Sequence, residues 1–171
     1  MRKQHSEEPL SEDAKLLMRY LDQYGECRSR KDRLEKRRKS IISEFNNPLS
    51  GINYIGMPKN NKISVGSASL ALRLDEIDTM IKQQQNNAAK LLLEIMSVLE
   101  FLPENSTERD VLETRYIDCC KVEKVGHRLH MSRSCVYDYM KDGLNKLLTF
   151  KKVQKILEEF KQHLEDEGVC L

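Results

Sequence analysis

The sequence predicts an all-α protein: a long N-terminal antiparallel helical hairpin of coiled-coil character, then a C-terminal helix-turn-helix domain. Three observations carry that expectation. The 171 residues include only seven Gly and four Pro, too little turn chemistry for the many short strands of an all-β fold. Charged residues reach 33% and hydrophobic ones 39%, against averages of about 25% and about 45–50%. That balance suits exposed helices with narrow apolar seams better than one thick core. Finally, apolar residues recur at spacings of three and four over long stretches, as an amphipathic helix requires.

The first helix is expected from about Ser11 to Phe45. Ser11 serves as N-cap, with Glu12 and Asp13 on the positive end of the helix dipole. Leu17, Leu21, Tyr24, Arg28, Lys31 and Leu34 approximate its seam, and Asn46-Asn47-Pro48 ends it. The stretch Pro48 to Gly66 reads as a long loop, because glycines, prolines and paired asparagines break any period. A second helix follows from about Ser67 or Ser69 to Phe101. Its seam is Leu70, Leu74, Ile77, Ile81, Ala88, Leu92, Ile95 and Leu99, thinned by the polar centre KQQQNNAAK. Two helices of similar length joined by a loop suggest the hairpin, and narrow seams of this kind often self-associate.

Leu102-Pro103-Glu104-Asn105-Ser106 interrupts the pattern and suggests a boundary. The expected organisation is residues 1–102 as the hairpin with its loop at 48–66, 103–150 as the helix-turn-helix domain, and 151–171 as a helical extension. Within the second region Thr107 to Asp118 reads as one helix capped by Ser106 or Thr107, and Val122 to His130 as a short second one. A third starts at Ser132 or Arg133 and is expected to continue towards Leu164.

Spacing across the second and third of these helices is the informative feature. Counting from Val122, inward positions fall at Val125, Leu129, Met131, Val136 and Tyr139 or Met140. Gly126 stands where two helices crossing at about 90–120° approach closely. His130 occupies the turn position where a left-handed glycine is usual, which histidine tolerates better than β-branched residues do. The outward residues at the start of the third helix are Ser132, Arg133, Ser134, Tyr137, Asp138 and Lys141. A helix so presented fits the major groove of DNA. Arg133 suits guanine O6 and N7, whereas Ser132 and Ser134 suit phosphates; pairing of Arg133 with Asp138 is the structural alternative. Lys121 adds charge nearby. From Lys121 to Lys152 eight basic residues face three acidic ones, a local excess of +5 within a chain of net charge +2, and such a patch attracts phosphate. The run Arg28 to Lys39 reads as a solvated helix face, with a second phosphate-contacting arm as its functional alternative.

Residues 107–148 resemble region 4 of sigma-70-type factors, the part that reads promoter −35 elements. The resemblance is carried by ERDVLETRYID, VEKVGHRLHMSRSCVYDYM and KDGLNKLL. With the loop motif Gly56-Met57-Pro58 and the run LDEID from Leu74 to Asp78, the layout from Leu16 to Leu148 is similar to phage and prophage regulators of Firmicutes, the ArpU- and RinA-like late transcriptional activators. The resemblance implies a sequence-specific double-stranded-DNA-binding transcriptional regulator of phage or prophage genes. It also implies RNA polymerase as a further partner. No stretch resembles the core-binding region 2 of a complete sigma factor, which favours an accessory regulator. Two alternatives stand beside it: a structural or adaptor protein built on the helical hairpin, and a small phage DNA-packaging subunit.

Other chemistry is set aside. Cys119 and Cys120 lie near His127 and His130, but adjacent cysteines and an H-x2-H spacing fit zinc poorly, so no metal or cofactor is expected. No nucleophile, paired acid or phosphate loop points to an enzyme. Five cysteines, odd in number and without a CxxC pair, read as reduced thiols. With no apolar leader and no run of the roughly 20 apolar residues a membrane helix needs, the expected location is the cytoplasm, with no membrane partner.

Overall fold

The computed structural model describes residues 10–46 and 63–166, with the side chains of 10–43 and 69–166. Among them it is all-helical. Helix α1 is Glu12–Asn46, α2 is Ile63–Leu99, α3 is Thr107–Leu112, α4 is Val122–Leu129, α5 is Arg133–Leu148 and α6 is Lys151–Asp166. No helix among the described residues is long and apolar enough to cross a membrane. Helix α1 begins as expected: Ser11 Oγ accepts the Ala14 N–H at 3.2 Å, satisfying one of the helix's first unpaired donors.

Three expectations need correction. Helix α2 starts at Ile63, so the last residues of the expected loop are helical; the Gly56-Met57-Pro58 motif and the rest of that loop lie outside the described residues. The expected single helix 107–118 is α3 followed by a π-helical segment, Glu113–Ile117. It closes with Cys119 at φ 55°, where the Cys120 N–H reaches back to the Thr114 carbonyl at 3.2 Å. Finally, the long last helix is two helices. Thr149 and Phe150 close α5 through bonds to the Lys146 and Leu147 carbonyls, and Thr149 Oγ1 donates to the Lys146 carbonyl at 2.7 Å. A hydroxyl that bonds the preceding turn competes with helix continuation.

The described residues belong to two compact units. One comprises those of Met1–Gly25 and Leu91–Leu171, the other those of Glu26–Lys90. Pro103, where composition suggested a boundary, falls inside the first unit. The reason is packing: Ile95, Val98, Leu99 and Leu102 before it share a core with Val111, Leu112 and Tyr116 after it. Leu17 and Leu21 from α1, Val125, Val136, Leu144 and Leu147 from α4 and α5, and Val153, Leu157, Phe160 and Leu164 from α6 complete that core. Each fully buried aliphatic side chain contributes about 1.5–3 kcal/mol. Tyr20 and Phe160 meet edge-on with ring centroids 5.5 Å apart, so α6 is built into the unit's core.

In the second unit the seam departs from its expected register. Cys27 is buried and Arg28 exposed, since a thiol costs far less to bury than a guanidinium. Its Sγ lies 3.3 Å from the Gln84 carbonyl oxygen and 3.2 Å from Gln84 Oε1. Burial pushes the Cys27 thiol above its usual range. Gln84 thereby fills the polar gap between Ile81 and Ala88. Eleven residues on from Cys27, Arg38 donates from Nε to Asp78 Oδ1 at 2.6 Å and from Nη2 to Oδ2 at 3.2 Å. The later α1 residue thus pairs with the earlier α2 residue.

Candidate nucleic-acid interface

The candidate site is the start of α5, and its position follows from how α4 ends. Leu129 is the last helical residue of α4, and His130 adopts φ 55°, ψ 43°, the left-handed conformation. Both the His130 and Met131 N–H groups then return to the Gly126 carbonyl, Met131 at 2.8 Å. This is the bond pattern of a left-handed helix terminus. The reversal brings the Met131 carbonyl against Gly126, where a Cβ would lie 2.7 Å from the oxygen. Only glycine accepts that approach.

Ser132 then opens α5. Its Oγ accepts the Cys135 N–H at 3.3 Å and lies 3.1 Å from Ser134 Oγ. The Ser132 oxygen is therefore engaged as the helix cap, and the pair of hydroxyls shares one hydrogen bond. Val136, Met140, Gly143, Leu144 and Leu147 face inward. Across the helix, Gly143 approaches Leu112, whose Cδ1 would be 2.8 Å from an added Cβ. Helix α5 is thus fixed by α4 at its start and by α3 further along.

Of the outward residues named from sequence, Ser132, Arg133, Ser134, Tyr137 and Asp138 are exposed, and Lys141 is half-buried. Lys121 is exposed at the N-cap of α4 and makes no side-chain capping bond. Arg133 contacts Tyr137 and Glu123. Its guanidinium lies 5.7 Å from the centroid of the Tyr137 ring, its Nη2 donates to Tyr137 Oη at 3.5 Å, and its Nη1 is 3.7 Å from Glu123 Oε1 on α4. The Arg133 guanidinium is held above its already high pKa, first by the Tyr137 hydroxyl and next by Glu123. In the sequence Glu123 is only one of the three acids that lower the charge of the stretch. Its contact with a residue ten positions later depends on the α4–α5 crossing, which has no local signal.

The basic patch is partly neutralised by acids outside the stretch that defined it. Arg128 is ion-paired with Asp118, and Lys146 donates to Glu108 Oε1 at 2.6 Å. That bond holds the Glu108 carboxyl below its usual range. Lys152 Nζ sits 5.9 Å from the Phe101 ring. The basic residues from Lys121 to Lys152 are exposed apart from the half-buried Lys141, but the acids paired with Arg128 and Lys146 make the local net charge smaller than the +5 excess suggested. Among the described residues no group of three or more His, Cys, Asp or Glu converges to hold a metal. A comparison with protein-family models, curated proteins and solved structures finds no match to this chain.

Proposed function

We propose that this protein is a sequence-specific double-stranded-DNA-binding transcriptional regulator, of phage or prophage genes, in which α4 and α5 act as a helix-turn-helix and α5 enters the major groove. One observation carries the reading. Arg133 and Tyr137, with side chains respectively 65% and 47% exposed, stand on the first turns of a helix anchored from behind by the Gly126–Met131 approach. A rigid helix with an exposed Arg near its N-terminus suits base-edge recognition. Lys121, Lys141 and Ser134 are assigned to phosphates, and Asp138 to the rim of the interface. RNA polymerase is the second partner proposed, and α1 with α2 is read as a hairpin that supports self-association. The proposed location is the cytoplasm.

The test is duplex binding by fluorescence anisotropy over a salt series for Arg133→Ala and Lys141→Ala. Phosphate contacts release counterions, so loss of one lysine contact is expected to reduce the logarithmic salt slope by about 1. Unchanged affinity and slope in both variants would remove α5 from the interface. A second reading, a helical adaptor, is favoured by Leu93 and Met96, one turn apart on α2 and 68% and 43% exposed; apolar side chains exposed side by side suit a docking surface. Genome-wide mapping of bound DNA separates the readings: promoter peaks support regulation, a packaging-site peak the packaging subunit, and no enrichment the adaptor.

A further inference from the structure

The Arg133 side chain is held from three directions. The Tyr137 ring lies beneath the guanidinium, with Arg Cζ 5.7 Å from the ring centroid. The Tyr137 hydroxyl takes Nη2 at 3.5 Å, and the Glu123 carboxylate faces Nη1 at 3.7 Å. Each terminal nitrogen carries two hydrogens. One partner on each nitrogen therefore leaves a hydrogen on each for a further acceptor, the number a bidentate contact to one base edge needs.

We propose that Glu123 and Tyr137 are positioning residues that direct Arg133 to the O6 and N7 edge of a guanine instead of to a backbone phosphate. This inference rests on the DNA-binding reading above. The physical argument is one of competing partners. A mobile, exposed arginine pairs with whichever anion is nearest, and on a duplex that is a phosphate, which carries no sequence information. A carboxylate beside the guanidinium repels phosphates from that place, and a guanine edge, being neutral, meets no such repulsion. The ring beneath restricts the long side chain to one plane, which suits bidentate contact. The ion pair is 65% and 58% exposed on its two side chains and so adds little to stability. Its removal is therefore readable as a change in recognition without unfolding.

The experiment uses the full chain. Duplexes bound from a random-sequence pool identify a preferred site, and each guanine in it is then replaced by 7-deazaguanine, which lacks the N7 acceptor. In the unmodified protein one replacement is expected to weaken binding about 5- to 100-fold, the range of a good bidentate contact. Arg133→Ala is expected to abolish that penalty. Glu123→Gln and Tyr137→Ala are each expected to cut the penalty about three- to tenfold while tightening or preserving binding to scrambled duplex. Tyr137→Phe, which keeps the ring, is expected to retain most of it. The positioning role fails, with DNA binding intact, if Arg133→Ala removes the penalty but Glu123→Gln and Tyr137→Ala keep it in full. It also fails if no guanine is sensitive to Arg133. Recovery of no duplex from the pool overturns both this inference and the DNA-binding reading.

Discussion

Gly126 and Met131 are five residues apart and in direct opposition: a Cβ on Gly126 would lie 2.7 Å from the Met131 carbonyl oxygen. The same Gly126 accepts the Met131 N–H through its own carbonyl at 2.8 Å. The two residues therefore lock the end of α4 to the start of the turn through backbone atoms alone, and backbone cannot rotate aside. Gly126→Ala is expected to destabilise the protein by about 1–3 kcal/mol, the range for overpacking. Thermal unfolding checks this, at about 2–4 °C per kcal/mol for a chain of this size.

Gly143 offers the contrast. An added Cβ there meets Leu112 Cδ1 at 2.8 Å, the end of a flexible side chain that can turn away, and Glu108 Cβ at 3.2 Å, where a shift of a few tenths of an ångström suffices. Alanine also gains about 1 kcal/mol over glycine inside a helix. Gly143→Ala is expected to cost less than Gly126→Ala when both are measured by urea denaturation. A larger loss at Gly143 would contradict the argument from backbone rigidity.

His130 holds φ 55° without being glycine, and its side chain is exposed. Left-handed backbone costs a non-glycine residue about 1–2 kcal/mol, partly offset in a glycine variant by the greater freedom of the unfolded chain. His130→Gly is expected to stabilise by up to about 1 kcal/mol in the same denaturation experiment. His130→Val, β-branched, is expected to destabilise.

Tyr116 is 2% exposed, and its hydroxyl has no hydrogen-bond partner. Burial, with Asp22 as a lesser influence, holds the phenol above its ordinary pKa. A buried unsatisfied polar group costs about 1–3 kcal/mol. Tyr116→Phe removes that cost and keeps the ring, so it is expected to raise the unfolding midpoint. A lowered midpoint would mean that the hydroxyl contributes a favourable contact.

The Arg38–Asp78 pair gives a pH signature. The Arg38 guanidinium, first through its hydrogen bond, holds the Asp78 carboxyl below its ordinary pKa. A carboxyl whose folded pKa is depressed contributes stability above its unfolded value of about 3.9 and loses it as pH falls through the folded value. Asp78→Asn is therefore expected to unfold at lower temperature than the unmodified protein at pH 7. The two melting curves should converge below about pH 4. A gap that persists in acid would assign the effect to packing instead of charge.

Much of the helical layout was legible in the sequence because its causes are local. Ser11 caps α1 and Ser106 caps α3, where Ser106 Oγ accepts the Arg109 N–H at 3.3 Å. The spacing from Val125 to Val136 identified which residues of α4 and α5 turn inward. The split between α5 and α6 was not legible, since LLTFKKV contains no proline or glycine and its apolar period continues through the break. The π-helical segment was equally hidden: ETRYI contains no proline or glycine to mark it, and Thr114 and Tyr116 within it are buried.

At the candidate site the division is the same. From the residues alone it follows that Gly126 must be small, that His130 sits at the left-handed turn position, and that Arg133 and Tyr137 face outward one helical turn apart. These follow from helical periodicity and from the conformational range of single residues. What Arg133 touches, that Ser132 is engaged as a cap, and that Asp118 and Glu108 pair with Arg128 and Lys146 emerge from the folded chain. Charge adds along a sequence, but Coulomb interaction depends on distance in space. A charge counted within a 32-residue window therefore omits every acid that folding brings to the patch from outside it.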